Sequence, residues 1–235
     1  MSPASSPTSR RVWWGAWGVF AASAVGIALF SVAPYLTGDP SQSKIPIDPE
    51  AGLHFFYVTA HALPGSLLLL LGPAQFVPAL RSRYPKVHRV VGRVYMVSVV
   101  LAAVAAVLSA TFSMSGISAQ VAFYLLAAAW VYSLVKAFLA IRRGQVRLHR
   151  VWMIRNYALS FAAVLLRAFL GIGLAVRAQF AWPEFADIYT TAVWASILVS
   201  AGVAEWFIVQ RTLAPRDRPR PGAGSRPAAP AGTGR

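Results

Sequence analysis

The chain contains no cysteine. That absence removes disulfides, thiolate metal sites, iron–sulfur clusters and covalently attached c-type haem together. Metal chemistry is left to four histidines, to carboxylates, methionines and the backbone. Acids are scarce as well: 7 Asp and Glu stand against 22 Lys and Arg, a net charge of +15. Charged residues of both signs make up 12% of the chain, half the usual ~25%, too few to cover a soluble globule of this size. The apolar set fills 57% without counting the 17 glycines, where a typical globular chain reaches roughly 45–50% with glycine included. The expected class is all-α: a polytopic membrane helix bundle.

Soluble-enzyme signatures are missing too. No phosphate-binding or dinucleotide glycine pattern, metalloprotease His-Glu pair or serine-nucleophile elbow occurs. The excess positive charge flanks apolar runs instead of striping a polar fold. It therefore points to an anionic membrane surface and not to nucleic acid.

A spanning helix needs about 20 mainly apolar residues. Six segments qualify: Val12–Leu36, Ala51–Ala79, Val90–Phe112, Ser118–Ala140, Val151–Val176 and Ile188–Gln210. Pro64, Pro73 and Pro78 predict kinks or an early end in the second. Ser9-Arg10-Arg11 faintly resembles a twin-arginine signal, but the apolar run behind it is too long for one, so a retained helix is expected. If the six spans alternate, Arg10-Arg11, the run Arg81 to Arg89, the run Arg142 to Arg150 and Arg211 share one side. Asp39, Asp48, Glu50, Glu184 and Asp187 share the other, with Lys44 and Arg177 as its only bases. The positive-inside rule then puts both termini in the cytoplasm of a cell-membrane protein. The organisation expected is a cytoplasmic segment (1–11), a six-helix domain (12–211) and a disordered basic Pro/Gly/Ala-rich tail (212–235) lying on anionic lipid.

Two basic turns align without gaps. The stretch Leu80 to Arg89 (LRSRYPKVHR) matches Ile141 to Arg150 (IRRGQVRLHR) at its apolar, basic and His-Arg positions. After a one-residue slip, Arg93 and Tyr95 correspond to Arg155 and Tyr157. Spans 2–3 and 4–5 thus read as two copies of one helical hairpin, related by rotation about the membrane normal. A duplicated pair often places its site on the pseudo-symmetry axis, here near His88 and His149. His61, the run Gly72 to Phe76 (GPAQF), the run His88 to Tyr95 (HRVVGRVY) and the run His149 to Tyr157 (HRVWMIRNY) resemble a bacterial membrane family known as domain of unknown function 2306. The likeness covers roughly residues 50–210. The histidine-bearing helices are also distantly similar to b-type cytochromes of the ferric-reductase and ascorbate-reducible kind, and that similarity implies a haem b.

Ionisable residues inside a span are functional candidates by default. Gln75, Arg93, Lys136, Arg155 and Glu205 each lie five or six residues inside their span ends, at a common depth of roughly 8 Å. If they converge they form a polar ring suited to a propionate, phosphate, quinone oxygen or lipid headgroup. If they do not, each base simply snorkels to the interface. Glu205, with its short stem, is expected to face the bundle and pair with Arg155, Lys136 or Arg93, at a cost of roughly 3–5 kcal/mol if the pair is broken. Toward the opposite side, His54, His61 and Arg167 form a possible outer polar site. The plainer alternative has Arg167 snorkelling and His61 bonding a backbone carbonyl.

These residues support two functional classes. In the first, His88 and His149 are metal ligands to haem b or another redox group, Arg93 and Arg155 pair with propionates, and His61 with Arg167 lines a substrate or quinone site. Any enzymatic activity would be that of a membrane oxidoreductase or respiratory-chain component. In the second, a non-redox carrier or assembly factor binds an anionic lipid or solute in its basic ring. A third possibility gives the histidines capping and packing roles only.

Overall fold

Residues 7–45, 47–180 and 182–213 are described by the structure, a computed structural model. Seven α-helices run through them: α1 (Pro7–Val32), α2 (His54–Gln75), α3 (Pro78–Arg83), α4 (Pro85–Thr111), α5 (Ile117–Arg142), α6 (Val146–Phe180) and α7 (Phe185–Leu213). Two 3₁₀ turns, Ala33–Leu36 and Pro40–Gln42, follow α1. All but α3 are long and apolar enough to cross a membrane. The six spans fall where the apolar runs placed them, with shifted ends. Residues 7–11, read as part of an N-terminal segment, belong to α1, and Thr212 and Leu213 of the expected tail belong to α7. The remainder of that tail lies outside the described residues.

Proline sets the boundary after the second span. The second span ends at Gln75 instead of running to Ala79, and a short α3 starts afresh with Pro78 at its first position. Pro85 likewise opens α4, since a proline ring fits the first helical turn, whose N–H groups have no partner in any case. The α5–α6 turn closes differently. Gly144 adopts φ +72°, its N–H bonds the Ile141 carbonyl, and the Gln145 N–H bonds Ala140. This double closure requires the left-handed conformation that glycine adopts without strain.

Helix α6 holds the bundle together. It packs closely on α5 and α7 and also reaches α1 and α2, while α2 packs on α4 and α4 on α5. Its 35 residues make about 52 Å of helix, well beyond the ~30 Å hydrocarbon layer. The core between these helices combines Leu68, Leu69, Tyr95, Val99, Trp130, Leu134, Tyr157 and Val164 with Ala28, Ala102 and Ala103. Alanines at such contacts let backbones approach, the usual source of helix association inside lipid.

The broken turn in α2 explains one core contact. Pro73 has no N–H, so the Leu69 carbonyl four residues earlier loses its helical partner. The Tyr157 hydroxyl donates to that carbonyl at 3.1 Å. A group that lipid could not satisfy is thereby satisfied from a neighbouring helix.

Candidate functional site

The six spans alternate, and the two basic turns lie side by side. The charge of Arg150 is felt at Arg81, and that of His149 at His88. One end of the bundle is therefore basic. Asp39, Asp48, Glu50, Glu184 and Asp187 occupy the loops or first helical turns of the other.

At the basic end, His88 is the fourth residue of α4 and His149 the fourth of α6. His149 donates from Nδ1 to the Ala137 carbonyl at 2.9 Å. That bond fixes the tautomer and leaves Nε2 with a free lone pair. His88 has a buried Nδ1 with no partner. One turn further along α4, Gly92 meets Gln75, whose Oε1 lies 3.4 Å from the position a Cβ would take on Gly92. The Gln75 Nε2 is also buried without a partner. Two unsatisfied polar atoms thus lie near one face of α4 at neighbouring turns. Burial and the charge of Arg150 both push the Arg81 guanidinium below its ordinary pKa.

The five residues expected to form a ring do not share one place. Gln75 faces inward as described. Arg93 is exposed, in an apolar groove on the outside of α2 and α4 lined by Leu63, Pro64, Leu67 and Val97. Arg155, Glu205 and Lys136 group on the α5–α6–α7 side. Arg155 grips Glu205 with two bonds, Nε to Oε1 at 2.5 Å and Nη2 to Oε2 at 2.8 Å. The Arg155 guanidinium lies 4.6 Å from the Trp152 ring centroid, and the Lys136 ammonium lies 5.6 Å from Tyr132 and 5.9 Å from Trp152. These are the cation–aromatic contacts of an interfacial belt.

Glu205 pairs with the base expected but is not buried by the bundle: its side chain is 49% exposed, that of Arg155 28%. The outer face of a span meets headgroups or detergent and not bulk water, so the pair is worth more than the about 0–1 kcal/mol of a water-exposed pair and less than the roughly 3–5 kcal/mol of a fully buried one. Glu205→Gln should therefore cost about 1–3 kcal/mol in reversible unfolding in micelles. Adding Arg155→Met should recover part of the loss. A single-mutant loss below ~0.5 kcal/mol would mean that water reaches the pair as at an ordinary protein surface.

Deeper in, a buried hydrogen-bond network joins α4, α5 and α6. The Tyr95 hydroxyl donates to Asn156 Oδ1 at 2.8 Å and lies 3.2 Å from Ser160 Oγ. Asn156 Nδ2 donates to the Trp130 carbonyl at 2.8 Å and to Ser133 Oγ at 3.0 Å. The Trp130 indole N–H donates to Ser160 Oγ at 2.9 Å. Sequence reasoning passed over Asn156, Ser133 and Ser160 because none is ionisable. The available signal was Asn156 and Ser160, one turn apart in the middle of an apolar run.

At the acidic end, the plain alternative holds for one atom of His61: Nδ1 donates to the Ala102 carbonyl at 2.9 Å. The charge of Arg167 is nevertheless felt at His61. Tyr35 and Tyr189, which the sequence did not single out, are close enough to act on Arg167. His54 does not join them by any bond of its own. It opens α2, so its side chain points back toward the preceding loop. There Nδ1 accepts from the Asp48 N–H at 2.9 Å, and the ring tilts against Phe112.

Among the described residues, no three His, Asp or Glu side chains cluster as a metal would need. A family model described as a predicted membrane protein, DUF2306, matches residues 58–208. No curated protein and no solved structure matches the chain.

Proposed function

The chain belongs to the DUF2306 family of membrane proteins, whose description names no chemistry; from the side chains themselves we propose that its basic end holds haem b, or another redox group, between His88 and His149. The observation that carries this reading is the state of the two imidazoles. The His149 Nδ1–H is committed to Ala137, so its Nε2 keeps a lone pair for a ligand. That backbone anchor is the usual support of a metal-binding histidine. His88 keeps a buried nitrogen that nothing in the protein satisfies. Two neutral imidazoles from two helices are a donor set that would suit haem iron. When bound, such a group supplies reversible one-electron transfer.

The chain's own residues orient the two rings and supply counter-charge. Arg155 is committed to Glu205 and Arg93 faces the outer groove, so neither is the propionate partner. Arg81 and Arg150 take that role: they flank the histidines, and no carboxylate pairs with them among the described residues. Gln75, reaching from the end of α2 to the same face of α4, adds an amide donor. We place this end at the cytoplasmic face of the cell membrane by its excess of bases.

A duplicated hairpin agrees with the placement. The two histidines occupy equivalent positions in α4 and α6, and the corresponding Tyr95 and Tyr157 rings meet with centroids 6.3 Å apart. Tyr157 donates to the Leu69 carbonyl. The carbonyl 61 residues later, on Trp130, is reached from Tyr95 through Asn156.

An absorption spectrum of detergent-purified protein from haem-replete cells tests the reading. A reduced b-type Soret and α band is expected, and His88→Ala/His149→Ala should abolish it while the helical circular dichroism persists. A folded, colourless wild type would overturn it. The same bases, free of carboxylates, would then favour a non-redox protein that holds an anionic lipid or solute.

A further inference from the structure

We propose that Arg93 and the groove it borders on the outer wall of α2 and α4 hold one phospholipid with a net negative headgroup, whatever the basic end holds. The groove has a volume of about 510 Å³ and takes Arg93, Val97, Ser98 and Leu101 from α4, Leu63 and Leu67 from α2. Arg93, Val97 and Leu101 stand at intervals of four, so they share one stripe of α4. That stripe runs about 12 Å along the helix axis. The two spans alternate in direction, so Leu67 stands at the Arg93 end and Leu63 at the Leu101 end. The result is a slot with a cation at its basic end and hydrocarbon walls leading toward mid-membrane.

Charge says what fills it. Among the described residues Arg93 has no carboxylate, the ion pairs being Arg155–Glu205 and Arg177–Glu184. It lies five residues past His88, about 7.5 Å further into the span, where a cation is costly unless something anionic reaches it. A merely snorkelling arginine needs no groove. Here Arg93 and the apolar stripe line one cavity, so an anion held by Arg93 has a channel beneath it for an attached chain. Leu63, Leu67, Val97 and Leu101 are 40–58% exposed, so no helix of this chain covers that channel.

Ser98 narrows the ligand further. It lines the same groove, five residues deeper than Arg93, and its hydroxyl makes no hydrogen bond among the described residues. A hydroxyl in hydrocarbon is costly without an acceptor. A phospholipid carries acyl ester carbonyls just below its phosphate, so one molecule meets both the guanidinium and the hydroxyl. A fatty-acid carboxylate has no second acceptor, and a neutral quinone leaves the cation uncompensated. The bases Arg81, Arg83, Lys86 and Arg89 lie toward the same end. They disfavour a choline headgroup, whose ammonium they repel, and favour one of net negative charge such as phosphatidylglycerol.

The full chain in maltoside micelles would be titrated with dioleoyl phosphatidylglycerol, dioleoyl phosphatidylcholine, oleate and decylubiquinone, read by native mass spectrometry. One phosphatidylglycerol should bind saturably, at least ~10-fold tighter than phosphatidylcholine or oleate. Arg93→Gln should abolish that preference. Val97→Trp fills the groove from its lipid-facing side and leaves the charge in place. It should weaken phosphatidylglycerol about tenfold, and it decides the matter if Arg93→Gln fails to fold. Equal affinity for the two phospholipids would overturn the proposal, as would oleate binding as tightly as phosphatidylglycerol. Unchanged binding in Val97→Trp would mean that Arg93 only snorkels. Displacement by decylubiquinone would give the groove to a quinone instead, and a dimer that Val97→Trp prevents would give it to a second copy of the chain. Binding lost in Arg81→Gln/Arg150→Gln but kept in Arg93→Gln would move the lipid to the basic end and overturn the proposal too.

Discussion

Gly72→Ala is expected to be the most damaging single-methyl change in the bundle. A Cβ at Gly72 would lie 1.7 Å from Tyr157 Cε2 and 2.4 Å from Cδ2, so one of the two must move. The Tyr157 ring has nowhere to go. Phe20, Phe76, Tyr95 and Phe161 surround it, and its hydroxyl holds the carbonyl that Pro73 leaves free. Overpacking a core usually costs about 1–3 kcal/mol. Here the shift also strands a buried carbonyl, so a loss at or above the top of that range is expected. Reversible unfolding in micelles would measure it. Pairing Gly72→Ala with Tyr157→Leu should restore part of the stability, since the clash then disappears. A Gly72→Ala protein as stable as wild type would mean that α2 and α6 are not packed at this contact.

Asn156→Leu should be the most damaging polar-to-apolar change. Asn156 is fully buried and uses both amide hydrogens and its carbonyl oxygen. Leucine has similar bulk, so packing is nearly kept while three buried bonds are lost and the Tyr95 hydroxyl is left with only the longer contact to Ser160 Oγ at 3.2 Å. A buried group left unsatisfied costs about 1–3 kcal/mol, whereas single hydrogen bonds between membrane helices average only ~0.6 kcal/mol. The lower figure applies where the unfolded chain finds other partners. Tyr95 is closed in on all sides, at 1% exposure, so about 2 kcal/mol is expected. Tyr95→Phe/Asn156→Leu removes both ends and should be more stable than Asn156→Leu alone. If the two changes simply add, Tyr95 and Asn156 are not coupled.

Much of the architecture could be read from composition and counting. Six apolar runs place six spans, because only a closed helix satisfies its backbone in lipid. Pro73 and Pro78 mark the break after α2 for an equally local reason. The clustering of bases on alternate loops separates a basic end from an acidic one without knowledge of any contact. The likeness of the two His-Arg turns was legible in the same way, as was the pairing of Glu205 with a base.

What counting along a helix supplies is depth, at about 1.5 Å per residue; it does not supply the direction a side chain faces among its neighbours. Gln75, Arg93 and Arg155 count to one level, yet one points into the bundle, one into an outer groove and one toward α7. Only the packing order of the helices decides that, because a rotation of one residue moves a side chain by 100° around its axis. The same dependence separates His54 from His61, although both lie on α2. Packing of α6 against α2 also requires Gly72 beside Tyr157.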